Sequence, residues 1–157
     1  MGDTTKIFRI PTPDNSLHVD QIYSIDGSTD MFLPLLLVPV PAGTPLWGED
    51  YIEGSIDLNK HLAPNPASTF VVHVVGDSML EAGIHEGDML IVDRSETAAN
   101  DDIVVAVLNG CITVKRLQST RNRVVLLPDN PKYQPIEISP NDAFSIWGVV
   151  RGLHRSL

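Results

Sequence analysis

From Thr69 onward the chain is a succession of short Val-, Ile- and Leu-rich runs separated by Gly, Asp, Asn and Pro. That texture predicts strands over 69–75, 89–93, 103–108, 111–117, 123–127, 135–138 and 144–153, because β-branched residues pack well on a pleated surface. Asn109-Gly110 lies between two such runs. Both residues tolerate φ > 0, so the dipeptide predicts a two-residue hairpin turn joining 103–108 to 111–117. A single helical turn is predicted over 55–62, capped by Ser55 or Asp57 and stopped before Pro64. Residues 1–50 differ: they hold Pro11, Pro13, Pro34, Pro39, Pro41 and Pro45 and sustain neither helical nor strand periodicity. Proline fixes its own φ and pushes its predecessor toward extended geometry, so this part reads as an extended N-terminal arm. The expected organisation is that arm, 1–50, followed by a mainly β domain, 51–157, folded as a compact barrel or sandwich.

Composition narrows the partners. Eleven Lys and Arg against 20 Asp and Glu give a net charge of −9, which opposes direct binding to a phosphate backbone. Removing residues 1–42 would delete five acids and two bases, leaving 15 against 9, so the remainder stays acidic. Cys111 is the sole cysteine, which excludes an internal disulfide and fits a reducing cytoplasm. The apolar stretch 31–40 is interrupted by Pro34 and Pro39 and is shorter than the about 20 residues a bilayer span needs. Followed by Ala42-Gly43, it imitates a secretory cleavage site. However, Asp3, Asp14, Asp20, Asp26 and Asp30 outnumber Lys6 and Arg9 where a signal peptide is basic. Lys6 also spoils the myristoylation motif that Met1-Gly2 invites. A cytoplasmic protein without membrane attachment is expected.

The chemistry starts at Val74-Val75-Gly76-Asp77-Ser78-Met79, an apolar strand ending in a Gly-Asp turn with a serine at its tip. Glycine lets the backbone turn, and the amides that follow can face an oxyanion. The plainer alternative is a strand end closed by an Asx or Ser turn. Among His18, His61, His73, His85 and His154 none has the context of a triad partner, and Leu80 spoils a Gly-x-Ser-x-Gly elbow. No histidine or cysteine spacing suits a metal, so neither metal nor cofactor is expected. Lysine is the remaining base. Lys6 and Lys60 lie in the arm and the helical turn, and Lys132 lies in a polar loop after Pro131. Lys115 shares a strand face with Cys111, Thr113 and Leu117, with Arg116 opposite. Burial and a neighbouring cation both disfavour a charged ammonium, as catalytic lysines require. The plainer reading of Lys115 is an edge-strand lysine that blunts aggregation.

The Ser78 turn, the Val114-Lys115-Arg116-Leu117 strand 37 residues later and the extended Ala42-Gly43 site together resemble the S24 self-cleaving family. Further matching stretches are Glu86-Gly87-Asp88-Met89-Leu90-Ile91-Val92-Asp93 and Asp102-Ile103-Val104-Val105-Ala106. The resemblance covers residues 34–150. It implies the β-rich LexA-type catalytic domain, with Ser78 as nucleophile, Lys115 as general base, Ala42-Gly43 as the scissile bond and backbone amides of Ser78 and Met79 as oxyanion donors. Three segments, Asp50-Tyr51-Ile52-Glu53-Gly54-Ser55-Ile56-Asp57-Leu58-Asn59, Pro128-Asp129-Asn130-Pro131-Lys132-Tyr133-Gln134-Pro135-Ile136 and Gly148-Val149-Val150, are similar to the polymerase-accessory branch of the family. The repressor branch carries a helix-turn-helix, for which the proline-rich acidic arm is unsuited. That branch implies an SOS-response mutagenesis role, a homodimer, stimulation by a RecA filament on single-stranded DNA, and service to a UmuC-type Y-family polymerase in a bacterial cytoplasm. Pro41, just before the cleaved residue, removes a backbone donor, and the segment before residue 16 is longer than the branch leads one to expect. Two other readings keep the β domain: a non-catalytic interaction module, and a serine hydrolase acting on other chains.

Overall fold

The β-branched runs become strands that hydrogen-bond in one curled antiparallel sheet. The structure is a computed structural model and describes residues 17–36 and 52–157. In chain order the elements are β1 (His18–Ser24), β2 (Phe32–Leu36), β3 (Ile52–Asp57), α1 (Leu58–Leu62), β4 (Thr69–Val75), β5 (Met89–Asp93) and β6 (Ile103–Leu108), then β7 (Cys111–Thr120), β8 (Arg123–Leu127), β9 (Ile136–Glu137) and β10 (Phe144–His154). Eight of these strands form a sheet in the order β1-β4-β5-β10-β6-β7-β8-β9, while β2 and β3 pair separately. The expected mainly β fold is therefore present. The Asn109-Gly110 turn joins β6 to β7 with φ of 50° and 80°, the mirror-image geometry that the dipeptide predicts.

The long strand β10 decides the shape. Its first half pairs with β6 and its second with β5, and the register shifts once on each side, between Ile146 and Gly148 and between Val150 and Gly152. Bulges bend a strand and increase its twist, so the two wings of the sheet curl toward one another. Gly148 is required at this bend because a Cβ there would lie 2.5 Å from Val92 Cγ1. The main core, including Val72, Val74, Met79, Leu90, Val105 and Val114, lies inside the curl, and a second cluster gathers Val104, Ala106, Leu117 and Leu126.

The N-terminal part departs from the sequence reading. Residues 18–24 form an edge strand of the main sheet, paired antiparallel with β4, and Leu17 and Val19 belong to the core. The segment His18-Val19-Asp20-Gln21-Ile22-Tyr23-Ser24 alternates poorly, with Asp20 and Gln21 adjacent where the register shifts, which hides the strand from a period-2 search. Residues 55–57 likewise end β3 rather than begin the helix. Asp57 is the N-cap, accepting from the amides of Asn59 (3.1 Å) and Lys60 (3.4 Å).

One buried carboxylate links the fold to pH. Asp93, 4% exposed at the end of β5, accepts from Ser68 Oγ (2.8 Å), Ser95 N (2.7 Å), Ser95 Oγ (2.7 Å) and Asn65 Nδ2 (3.2 Å). Burial pushes its pKa up, but the bonds from Ser95, Ser68 and Asn65 outweigh it and hold the group at about 2, below the ordinary 3.8. A depressed pKa contributes stability that is present above the unfolded value and lost as pH falls from about 4 to about 2, here about 2 kcal/mol. Asp93→Asn is expected to cost stability at pH 6 and progressively less toward pH 2, measured as urea midpoints. A mutant deficit independent of pH would contradict this.

Candidate active site

Ser78 is carried by the turn that leaves β4. Gly76 sits at φ 102°, a conformation suited to glycine, and its amide donates to Glu86 Oε2 at 3.1 Å. The turn is braced from a loop after β8. Asn130 Nδ2 donates to the Asp77 carbonyl (2.8 Å), the Tyr133 hydroxyl donates to the Asp77 carboxylate, and the Glu81 amide donates to the Asp129 carbonyl (2.8 Å). Asp129 in turn accepts from the guanidinium of Arg116, the residue next to Lys115 on β7. One loop thus ties the serine turn to the lysine strand.

Lys115 is on a central strand, between β6 and β8, which rules out the edge-lysine reading. Its side chain is 1% exposed and Ser78 is 0% exposed. Nζ lies 2.8 Å from Ser78 Oγ, 2.9 Å from Thr113 Oγ1 and 3.1 Å from the Val114 carbonyl. Thr113 is on the same strand face two residues earlier, as period-2 geometry requires. The curl of the sheet is what brings the end of β4 against β7.

Leu17 also lies on the pair. Its amide donates to Ser78 Oγ at 3.0 Å, and its carbonyl accepts from Thr113 Oγ1 at 2.9 Å and Val114 N at 3.2 Å. The sequence offers no signal for Leu17, for Asp129 and Asn130 as braces, or for Arg116 as their anchor. The apolar stretch 31–40 is described only as far as Leu36. There it pairs with β3, with Met31, Phe32 and Leu33 exposed. Ala42 and Gly43 lie outside the described residues.

The other bases stand elsewhere. His73 Nδ1 lies 3.5 Å from Asp20 Oδ2, and His85 contacts the Gly83 carbonyl and Arg155. Lys60 is engaged with Asp30 and Asp57, and Lys132 is exposed. Among the described residues no His, Cys, Asp and Glu group could hold a metal ion, and no helix is long and apolar enough to cross a membrane.

A serine hydroxyl and a lysine amine in contact within a dry β core is an arrangement found in serine peptidases that do without histidine. Residues 34–151 match the family model described as Peptidase S24-like, and the chain belongs to that family of serine peptidases. It is 44% identical over 117 residues to the protein SamA of Salmonella typhimurium, covering 74% of this chain and 81% of SamA. It is 41% identical over 128 residues to the LexA repressor of Bordetella avium, covering 79% of this chain and 60% of that repressor. With the LexA repressor of Xylella fastidiosa it shares 35% identity over 155 residues, 95% of this chain and 73% of that one.

Proposed function

We propose that this protein cleaves itself between Ala42 and Gly43 through a Ser78–Lys115 dyad, and that the processed form is a UmuD-type accessory subunit of an error-prone Y-family polymerase. The observation that carries the reading is the 2.8 Å contact between Lys115 Nζ and Ser78 Oγ, buried in an S24-family fold. Neutral Lys115 takes the Ser78 proton as Oγ attacks the Ala42 carbonyl carbon. Backbone amides of Ser78 and Met79 receive the oxyanion. The bond to Gly43 then breaks and its nitrogen takes the proton from Lys115. Water hydrolyses the Ser78 ester, which leaves Ala42 with a free carboxylate and restores the hydroxyl. Small residues on both sides of the bond suit close approach by Ser78.

The acidic balance supports indirect action on DNA through partners: a RecA filament on single-stranded DNA as activator, a second copy of this chain, and a UmuC-type polymerase as client. The direct test is a mass spectrum of aged protein. Pieces of 42 and 115 residues are expected, and a chain that stays whole through incubation at alkaline pH with activator would overturn the proposal.

The place of β1 adds a further expectation. The 42-residue piece would carry Leu17 and all of β1, which is registered on β4 at six positions. Both pieces should therefore elute together in native size exclusion and part only in denaturant. Immediate separation in native buffer would show that β1 does not hold the piece.

A further inference from the structure

Leu17 belongs to none of the motifs that mark the chemistry, yet it occupies the site. Its backbone bonds to Ser78, Thr113 and Val114 on two sides, and its side chain is wholly buried in the main core. Extended peptides are held in this way when they add a strand and drop an apolar anchor into a pocket. From His18 the segment continues along β4, with His18 opposite Val75 and Val19 opposite Val74.

The contact occupies Ser78 without leading to reaction. A hydroxyl oxygen has two acceptor lone pairs. Ser78 Oγ accepts from the Leu17 amide at 3.0 Å and from Lys115 Nζ at 2.8 Å, so among the described residues both lone pairs are engaged by N–H donors. Attack needs that carbon about 3 to 3.5 Å from the oxygen, close to where the Leu17 amide stands. Two occupants cannot share the position. The register shift between Val19 and Gln21 separates the first two β1–β4 pairs from the four that follow, so the end bearing Leu17 can peel away while the remainder stays paired.

We infer that Leu17 and the start of β1 form an internal pseudosubstrate in a peptide cleft whose ligand class is an extended segment with a leucine-sized apolar anchor. The scissile segment enters only after Leu17 has left. This inference rests on the Ser78–Lys115 reading, and it makes the competent population a small fraction of the resting protein, which lowers the apparent rate by that fraction.

The test uses the full chain in two forms. Leu17→Ala removes the anchor and is expected to speed unassisted self-cleavage at pH 9 by about tenfold or more, with folding followed by circular dichroism. The second form, His18→Cys/Val75→Cys with Cys111→Ser, places cysteines at opposed positions and can lock the strand by a disulfide. The oxidised chain should stay whole, and a reducing agent should restore cleavage. Equal rates in the oxidised and reduced chains, or a folded Leu17→Ala chain no faster than wild type, overturn the pseudosubstrate while leaving the dyad intact. Shortening that persists in Ser78→Ala, or no shortening in any chain, overturns the dyad and the inference with it.

Discussion

Chains carrying Ser78→Ala or Lys115→Ala are expected to remain at 157 residues under conditions that convert the wild type to pieces of 42 and 115. Serine removal deletes the atom that forms the covalent bond. Loss of the lysine deletes general-base assistance, which by itself contributes roughly 10²- to 10⁴-fold. Among the described residues neither group has a substitute in reach: His73 Nδ1 faces Asp20, His85 contacts the Gly83 carbonyl and Arg155, and Lys132 stands in solvent. Both variants alter a dry interior, since Ser78→Ala strips the Leu17 amide of its acceptor, at a cost of about 1–3 kcal/mol. Thermal unfolding must therefore accompany the cleavage assay. A folded Lys115→Ala chain cleaving at the wild-type rate would falsify the dyad.

The second expected result is an alkaline rate profile. Lys115 must be neutral to take the Ser78 proton, so the first-order rate should rise up to tenfold per pH unit while the amine is mainly charged, and level off once it is mainly neutral. The sign follows from the base: raising pH increases the reactive form. An activator that favours the state with Leu17 displaced and the scissile segment docked should raise the rate at neutral pH and flatten this profile, because it supplies the population shift by binding. Rates from pH 6 to 11, with and without a RecA filament on single-stranded DNA and nucleotide, provide the measurement. A bell centred near pH 6.5 would point to histidine instead and remove Lys115 from the mechanism.

Much of this protein could be read from local sequence. The boundaries of β4, β5, β6 and β8 coincide with apolar runs bounded by turn residues, and Asn109-Gly110 encodes its hairpin, because strand propensity and positive φ are local properties. Ser78 and Lys115 were legible as chemistry for a similar reason: a serine at a Gly-Asp turn and a lysine in apolar company are both unusual in their own neighbourhoods. What joins them is not local. The bulges of β10 curl the sheet until residues 37 apart in sequence meet at 2.8 Å, and no spacing in the chain encodes that closure. β1 was missed because its stability comes from pairing with β4 and from burying Leu17 and Val19, while its own alternation is broken where the register shifts. The bracing of Asp77 by Asn130 and Tyr133, and of Asp129 by Arg116, likewise depends on contacts between distant loops. The sequence by itself thus determined the strands from β4 onward, the turn and the reactive residue types, whereas only the tertiary structure decided the pairing of the earlier strands, which residues touch, and that the Leu17 amide meets the Ser78 hydroxyl, since such contacts arise from sheet curvature and long-range packing.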